Sequence, residues 1–227
     1  FGLAPLLSDI LNRHLSQVQL SEMCDDENPD DIAAVLAEFR AEVEALIQRA
    51  RALTGPDPKF DAFLKVIRDK QELPNNKLLV FSTFRHTLAY LMAKLSRAYV
   101  RLGLIHGDIP DDERRELRQR FSLNREDPQA LDVLLSSEVG CEGLDFQFCD
   151  GLVNYDLPWN PMRVEQRIGR IDRYGQKSET VAIYNLITPG TVDAEIYERC
   201  LSRIGVFRQA LGGSEEILGK LTREIHA

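Results

Sequence analysis

From Pro74 onward, short apolar runs alternate with amphipathic, charge-rich stretches, and few folds accommodate that order. Lys77–Ser82 reads as a strand buried on both faces, followed by a helix near His86–Ala98. Arg101–His106, Leu131–Ser136, Leu152–Tyr155 and Thr180–Leu186 repeat the strand signal, with helices at Asp111–Phe121 and about Met162–Asp172 among them. Apolar strands alternating with helices predict an α/β fold, a mainly parallel sheet with helices on both faces. Ligands of such sheets gather beyond the carboxyl ends of the strands. The polar groups fall at those ends: Ser82-Thr83, His106-Gly107-Asp108, Ser136-Ser137 and Asp156.

Residues 1–73 read instead as a helical segment preceding this lobe. Leu6, Ile10, Leu11 and Leu15 mark a first amphipathic stretch, and the acidic loop CDDENPDD follows it. Asn28 suits an N-cap, Pro29 the first helical position, and Asp30 and Asp31 the positive end of the dipole. Ile32, Val35, Leu36, Phe39, Val43, Leu46, Ile47 and Leu53 then recur at helical spacing until Gly55-Pro56. A third helix, about Lys59–Glu72, leads into the lobe, and Val192–Leu211 and Glu215–Ile225 are helical again. The expected organisation is a helical brace or insertion at 1–73, the lobe at 74–190 and C-terminal helices at 191–227.

Hydrophobic residues at 44% and charged residues at 28% exclude wholesale disorder. No apolar run approaches the ~18 residues a membrane span needs, and no basic-then-apolar leader opens the chain, so a cytoplasmic protein is expected. Cys24, Cys141, Cys149 and Cys200 show neither CxxC nor zinc-ligand spacing and read as reduced core thiols, with no metal site. The chain opens at Phe1 rather than at methionine, which predicts a piece of something longer. The net charge of -8 argues against indiscriminate nucleic-acid binding. Up to Leu73 there are 8 basic and 14 acidic residues, against 20 and 22 beyond it. Of the later 20 basic residues, 16 are arginine, the side chain suited to bidentate phosphate contacts.

The sharpest feature is Gln166-Arg-Ile-Gly-Arg-Ile-Asp-Arg173. On a continuous helix Arg170 and Arg173 would lie on neighbouring turns of one face, with Gly169 clearing room for a backbone or a phosphate. A rigid guanidinium pair suits a polyphosphate. The plainer reading is a solvated face, with the arginines paired to Glu165 and Asp172.

Ser136-Ser-Glu-Val-Gly-Cys-Glu-Gly-Leu-Asp-Phe146 follows one strand and Asp156-Leu-Pro-Trp-Asn-Pro161 the next. With Gln166–Arg173 these resemble motifs V and VI of superfamily 2 helicases. The Trp-Asn-Pro element and the Gly-Gln after Tyr174 are similar to those of Swi/Snf-type DNA translocases. Leu79-Val-Phe-Ser-Thr-Phe84 resembles motif IV, and Leu104-Ile-His-Gly-Asp108 with Arg114 the next block. The resemblance runs in order from about Asp57 to Cys200, and Pro161-Met-Arg-Val-Glu resembles the bacterial branch.

That resemblance implies the second of two RecA-like lobes of an ATP-dependent double-stranded DNA translocase, with ATP and Mg²⁺ bound mainly by the N-terminal lobe. Arg170 and Arg173 would be arginine fingers, while Gln166, Gly143 and Asp145 would touch nucleotide. Ser82, Thr83, His106, Gly107, Ser136 and Ser137 would grip one DNA strand, with Trp159 as the coupling aromatic. A DNA-bound protein or polymerase is an expected partner, and the bacterial nucleoid the expected place. Plainer readings stand beside these: Ser136 and Ser137 as caps, His106 as a satisfied turn residue, Gly143 as a helix stop, Trp159 as a core anchor.

No phosphate loop is present; Gly213 to Gly219-Lys220 has one residue too many, and Leu221 stands where Ser or Thr must hold Mg²⁺. With no strand ending in an Asp-Glu pair either, this lobe alone is expected not to hydrolyse ATP. The alternatives are a strand-separating or RNA-directed helicase lobe and a non-catalytic nucleic-acid-binding adaptor. Trp159-Asn160-Pro161 speaks against the first, and Gln166, Arg170 and Arg173 against the second. A dinucleotide enzyme is disfavoured because no Gly-rich turn follows Phe81.

Overall fold

The computed structural model describes residues 41, 43–52, 55–98, 100–191, 194–195 and 197–198. The readings placed on 1–40 and 199–227, with Cys24, Cys200 and the Gly213–Lys220 near miss, lie outside the described residues. The chain divides into two compact units, 1–56 and 57–227. In the first, the described residues 43–52 are helical, with Val43 and Ile47 buried and Leu46 exposed. Leu46 is turned about 100° from Ile47 round the helix, so the apolar stripe is narrower there than its spacing predicts.

The second unit opens with α1 (Pro58–Gln71). Asp57 caps it by accepting from the Phe60 N–H at 3.0 Å, and Pro58 takes the first turn, where its missing donor costs nothing. Then follow β1 (Leu78–Phe81), α2 (Arg85–Ser96), β2 (Leu102–Ile105), α3 (Asp111–Ser122) and β3 (Val133–Ser136). A 3-10 turn at Val139–Cys141, β4 (Gly151–Asn154), α4 (Pro161–Ile168) and β5 (Ala182–Asn185) complete the order. The five strands lie in the order β2-β3-β1-β4-β5, every pair parallel. The expected α/β architecture is therefore the observed one.

Because side chains alternate across a strand, each buried strand serves two cores. Leu79, Phe81, Leu134, Leu152 and Ile183 pack with Phe121 of α3 and Val164 and Ile168 of α4. Leu78, Val80, Val133, Leu135 and Val153 pack on the other face with Phe60, Phe63, Val66 and Ile67 of α1 and Leu88, Leu91 and Leu95 of α2. Each such side chain contributes roughly 1.5–3 kcal/mol when fully buried. The helix that reads as a lead-in thus supplies core to the lobe.

One expected element is shorter than its pattern. The helix read across Met162–Asp172 ends at Ile168, with Gly169 as its C-cap. Ile171 still buries completely, but as part of a turn in which its N–H donates to the Ile168 carbonyl at 3.0 Å. The apolar signal that extends the helix on paper here anchors the chain beyond it.

Candidate functional site

Past the carboxyl ends of β1 and β3 lies a cleft of about 190 Å³ lined by Phe81, Glu138, Val139, Glu142 and, from α4 and its exit turn, Arg163, Gln166, Arg167 and Arg170. Asn160 caps α4 by accepting from the Met162 N–H at 3.1 Å, and Pro161 follows. Val164 and Ile168 press the helix onto the sheet, leaving Arg163, Gln166 and Arg167 toward the cleft.

The three arginines of the 166–173 stretch fall into three environments. Arg167, whose side chain is 1% exposed, is held in full. Its Nε and one terminal nitrogen donate to Glu138 Oε1 at 3.1 and 2.8 Å, and the latter also to Thr83 Oγ1 at 3.2 Å. Its other terminal nitrogen donates to Asn154 Oδ1 at 2.9 Å and the Asp156 carbonyl at 2.8 Å. The guanidinium also lies over the Phe81 ring at 5.4 Å. Arg170, half-buried in the cleft, makes no side-chain hydrogen bond or ion pair among the described residues. Arg173 is half-exposed and pairs with Asp145. The solvated-face reading named Glu165 and Asp172 as partners; the partners are Glu138 and Asp145, brought in from the segment after β3. The picture of Arg170 and Arg173 on neighbouring helical turns is corrected likewise, since both lie past the end of α4.

The Asp145 loop is clamped to this turn. The Phe146 N–H donates to the Arg170 carbonyl at 2.9 Å, and Arg118 Nε to the Asp145 carbonyl at 2.8 Å. Phe121 meets Phe146 and Phe148 edge-on at 6.1 and 5.5 Å. Gln176 Nε2 donates to the Ile171 and Cys149 carbonyls at 2.8 and 2.9 Å, which staples the far side. Gly143 has φ +74 just after the 3-10 turn and so ends it, in line with its plainer reading. Gly140, which the sequence did not single out, is the tighter constraint. A Cβ there would sit 2.7 Å from the Ile105 carbonyl oxygen, so only glycine lets this turn close on β2.

The residues read as strand-gripping divide by exposure. Ser82 and Ser136 are fully buried, with hydroxyls committed inside the lobe. Ser82 bonds to the Asp156 carboxylate; Ser136 Oγ donates to the Ser137 carbonyl at 2.7 Å and lies 2.8 Å from Cys141 Sγ. These two shape loops. Ser137 Oγ accepts from the Gly140 N–H at 3.2 Å, one residue before Glu138, which holds the N-cap position of the 3-10 turn. His106 Nδ1 accepts from the Asp108 N–H at 3.3 Å, a satisfied turn. Thr83 and Gly107 are exposed, although the Thr83 N–H is taken by Asp156 at 2.8 Å. Trp159 is 70% exposed and is no core anchor.

Cys141, beneath the cleft, is pushed up to about 12 by burial, against the Ser136 hydrogen bond and the nearby Arg170 charge. It stays a neutral thiol and offers no nucleophile. Among the described residues no group of His, Cys, Asp and Glu gathers that could hold a metal, and no helix is long and apolar enough to cross a membrane. What the sequence reading missed is Glu138 and the depth of Arg167. Their only sequence signal was an acid just past a strand end and arginines four apart at 163 and 167.

A wholly parallel sheet with helices on both faces and an arginine-lined cleft past its strands is the architecture of a RecA-like lobe. The chain belongs to the helicase conserved C-terminal domain family, which matches residues 58–175, more than half of its length. It is 35% identical over 147 residues to the uncharacterized ATP-dependent helicase YqhH of Bacillus subtilis (strain 168), covering 65% of this chain and 25% of that protein. DNA repair and recombination protein RAD54B of Gallus gallus is 30% identical over 208 residues, 89% of this chain and 22% of that one. RNA polymerase-associated protein RapA of Pectobacterium atrosepticum is 36% identical over 124 residues, 54% and 12% respectively. These relatives agree with the Swi/Snf-type resemblance, and the matched part spans a quarter or less of their length. In fold, the chain resembles the C-terminal part of the Fun30 ATPase domain, with a TM-score of 0.57 and 20% identity, covering 86% of this chain and 64% of that one. It also resembles the C-terminal domain of the DEAD-box protein Dbp5, with a TM-score of 0.50 and 26% identity, covering 64% and 79%.

Proposed function

We propose that this chain is the second motor lobe of an ATP-dependent double-stranded DNA translocase and supplies Arg170 as an arginine finger to ATP bound by an N-terminal lobe. The observation that carries the reading is the contrast within one turn of chain: Arg167 fully bonded, Arg170 beside it half-buried in the cleft with no partner among the described residues. An unpaired guanidinium in a partly desolvated cleft is held ready for an anion. Bound ATP supplies the transferable phosphoryl group. Arg170 neutralises charge on it as the lobes close, and Gln166, exposed on the same cleft, orients the nucleotide. Arg173 is a second finger in this scheme and must exchange Asp145 for phosphate, while Gly143 lets the Asp145 loop bend toward the nucleotide. Mg²⁺ falls to the other lobe, and this lobe alone hydrolyses nothing.

Thr83, Gly107, Ser137 and His106 form the DNA-facing edge, with Ser82 and Ser136 supporting it from within and Trp159 relaying cleft closure. Contacts of that kind grip phosphates without reading sequence. The names of RAD54B and RapA motivate duplex DNA as the track and a DNA-bound protein such as a polymerase as the partner. The bacterial cytoplasm, at the nucleoid, is the proposed setting. The test is ATP hydrolysis by the full-length parent, with and without duplex DNA, beside Arg170→Ala. DNA-stimulated turnover that drops by about 10³–10⁵ is expected. Turnover unchanged by the substitution removes Arg170 from catalysis, and no hydrolysis under any condition favours the adaptor.

A further inference from the structure

We infer that the Glu138–Arg167 pair is a positioning device that aims Arg170, an inference that rests on the finger reading of Arg170. Stability alone is a poor account of this pair. Burying a guanidinium carries a desolvation cost before its bonds return anything, and apolar replacements of buried ion pairs are often neutral or better. Arg167 nevertheless places all of its N–H donors on partners from three places: Thr83 after β1, Glu138 after β3, and Asn154 and Asp156 at the end of β4. A planar fork satisfied in this way has one position available to it.

Glu138 acts on α4 at two points. Oε1 takes Arg167, and Oε2 takes Arg163 at 2.8 Å. These arginines are four residues apart on one face of the helix, so α4 can neither slide nor rotate without breaking both bonds. Arg170 hangs from the end of that helix. Its N–H donates to the Arg167 carbonyl at 3.1 Å and its carbonyl accepts from Phe146 at 2.9 Å. The backbone bearing the finger is fixed between Arg167 and the Asp145 loop, while its side chain has no bonded partner among the described residues. A misplacement of about 1 Å in a catalytic group can cost on the order of 10²-fold in rate. Glu138, which touches no nucleotide in this scheme, therefore sets turnover through Arg170.

The test is steady-state ATP hydrolysis by the full-length parent on saturating duplex DNA. Glu138→Gln keeps the shape and removes the charge. The expected result is a kcat lower by about 10–100-fold, with KM for ATP within about threefold, and no additional loss when the same substitution is made in Arg170→Ala. Arg167→Lys, which keeps charge but not the fork, should repeat the pattern. Full activity in Glu138→Gln overturns the inference, as does an equal further loss in the Arg170→Ala background. Should both variants fail to fold, Arg163→Ala decides: it removes only the exposed partner of Glu138. A several-fold lower kcat that vanishes in the Arg170→Ala background supports the clamp, and unchanged kcat overturns it. If Arg170→Ala alone has no effect, the finger reading has failed, and the positioning role falls with it.

Discussion

The two ends of the sheet both bury charge, yet they do so differently. At the amino end, Asp132 accepts from Asn76 at 2.7 Å and from Arg101 Nε and a terminal nitrogen at 2.8 and 2.7 Å, and Lys77 Nζ donates to the Leu131 carbonyl at 2.7 Å. Desolvation lowers the Lys77 pKa, opposed by the Asp132 charge. This network closes on itself across β1, β2 and β3. At the carboxyl end Arg167 is satisfied as completely, but the next arginine along, Arg170, has no side-chain partner among the described residues. Burial of charge alone therefore does not single out a functional residue, and the proposed role of Arg170 rests on an unmatched charge beside a matched one.

That contrast breaks most visibly at Arg170. Arg170→Ala should abolish nearly all DNA-stimulated turnover, about 10³–10⁵-fold, while changing the unfolding free energy measured in urea by no more than about 0.5 kcal/mol, as for a side chain without partners among the described residues. Asp132→Ala should do the reverse. Stripping the shared acceptor from Asn76 and Arg101 is expected to cost about 3–5 kcal/mol by urea unfolding, with turnover per folded molecule unchanged. If Asp132→Ala also lowers turnover of the folded fraction, the two ends are not separable.

Gly140→Ala should fall between them. The added methyl meets the Ile105 backbone, so a loss of about 1–3 kcal/mol is expected. It displaces the turn next to Glu138, so turnover should drop with stability. The buried thiols offer a comparison by pH, since Cys141 and Cys149 are both pushed up to about 12, chiefly by burial. The unfolded chain releases these protons near pH ~8.5. Between there and about 12 the folded state binds more protons, and stability falls as pH rises. Burial pushes Tyr155 upward too, which deepens the same slope. Urea midpoints at pH 8 and 10.5 check this, and Cys149→Ala and Cys141→Ala should each flatten the slope. The smallest effect is expected at Asp145→Asn, which opens a half-exposed ion pair: about 0–1 kcal/mol in stability.

Much of the lobe was legible because its central strands β1 and β3 are buried on both faces and so are almost wholly apolar. Leu78–Phe81 and Val133–Ser136 lie within the ranges their hydrophobicity predicts. Two helix starts are also set locally: Asp57-Pro58 and Asn160-Pro161 each combine a capping acceptor with a proline that suits the first turn. The end of α4 was not legible in this way. Ile171 continues the helical apolar spacing, and only its burial from within a turn shows that the helix has already stopped.

The candidate site divides along the same line. The order of apolar runs determined the fold class, and the 166–173 arginines singled out the stretch on which the proposed function rests. Which arginine is locked, which is paired and which is left unbonded was decided only when folding brought Glu138, Asn154, Asp156 and Thr83 around Arg167, and Asp145 to Arg173. Those partners lie 11 to 84 residues away in sequence, beyond any local periodicity. Hydrophobic pattern acts over one or two turns, whereas the state of a charge depends on whatever the finished fold sets within about 3 Å of it.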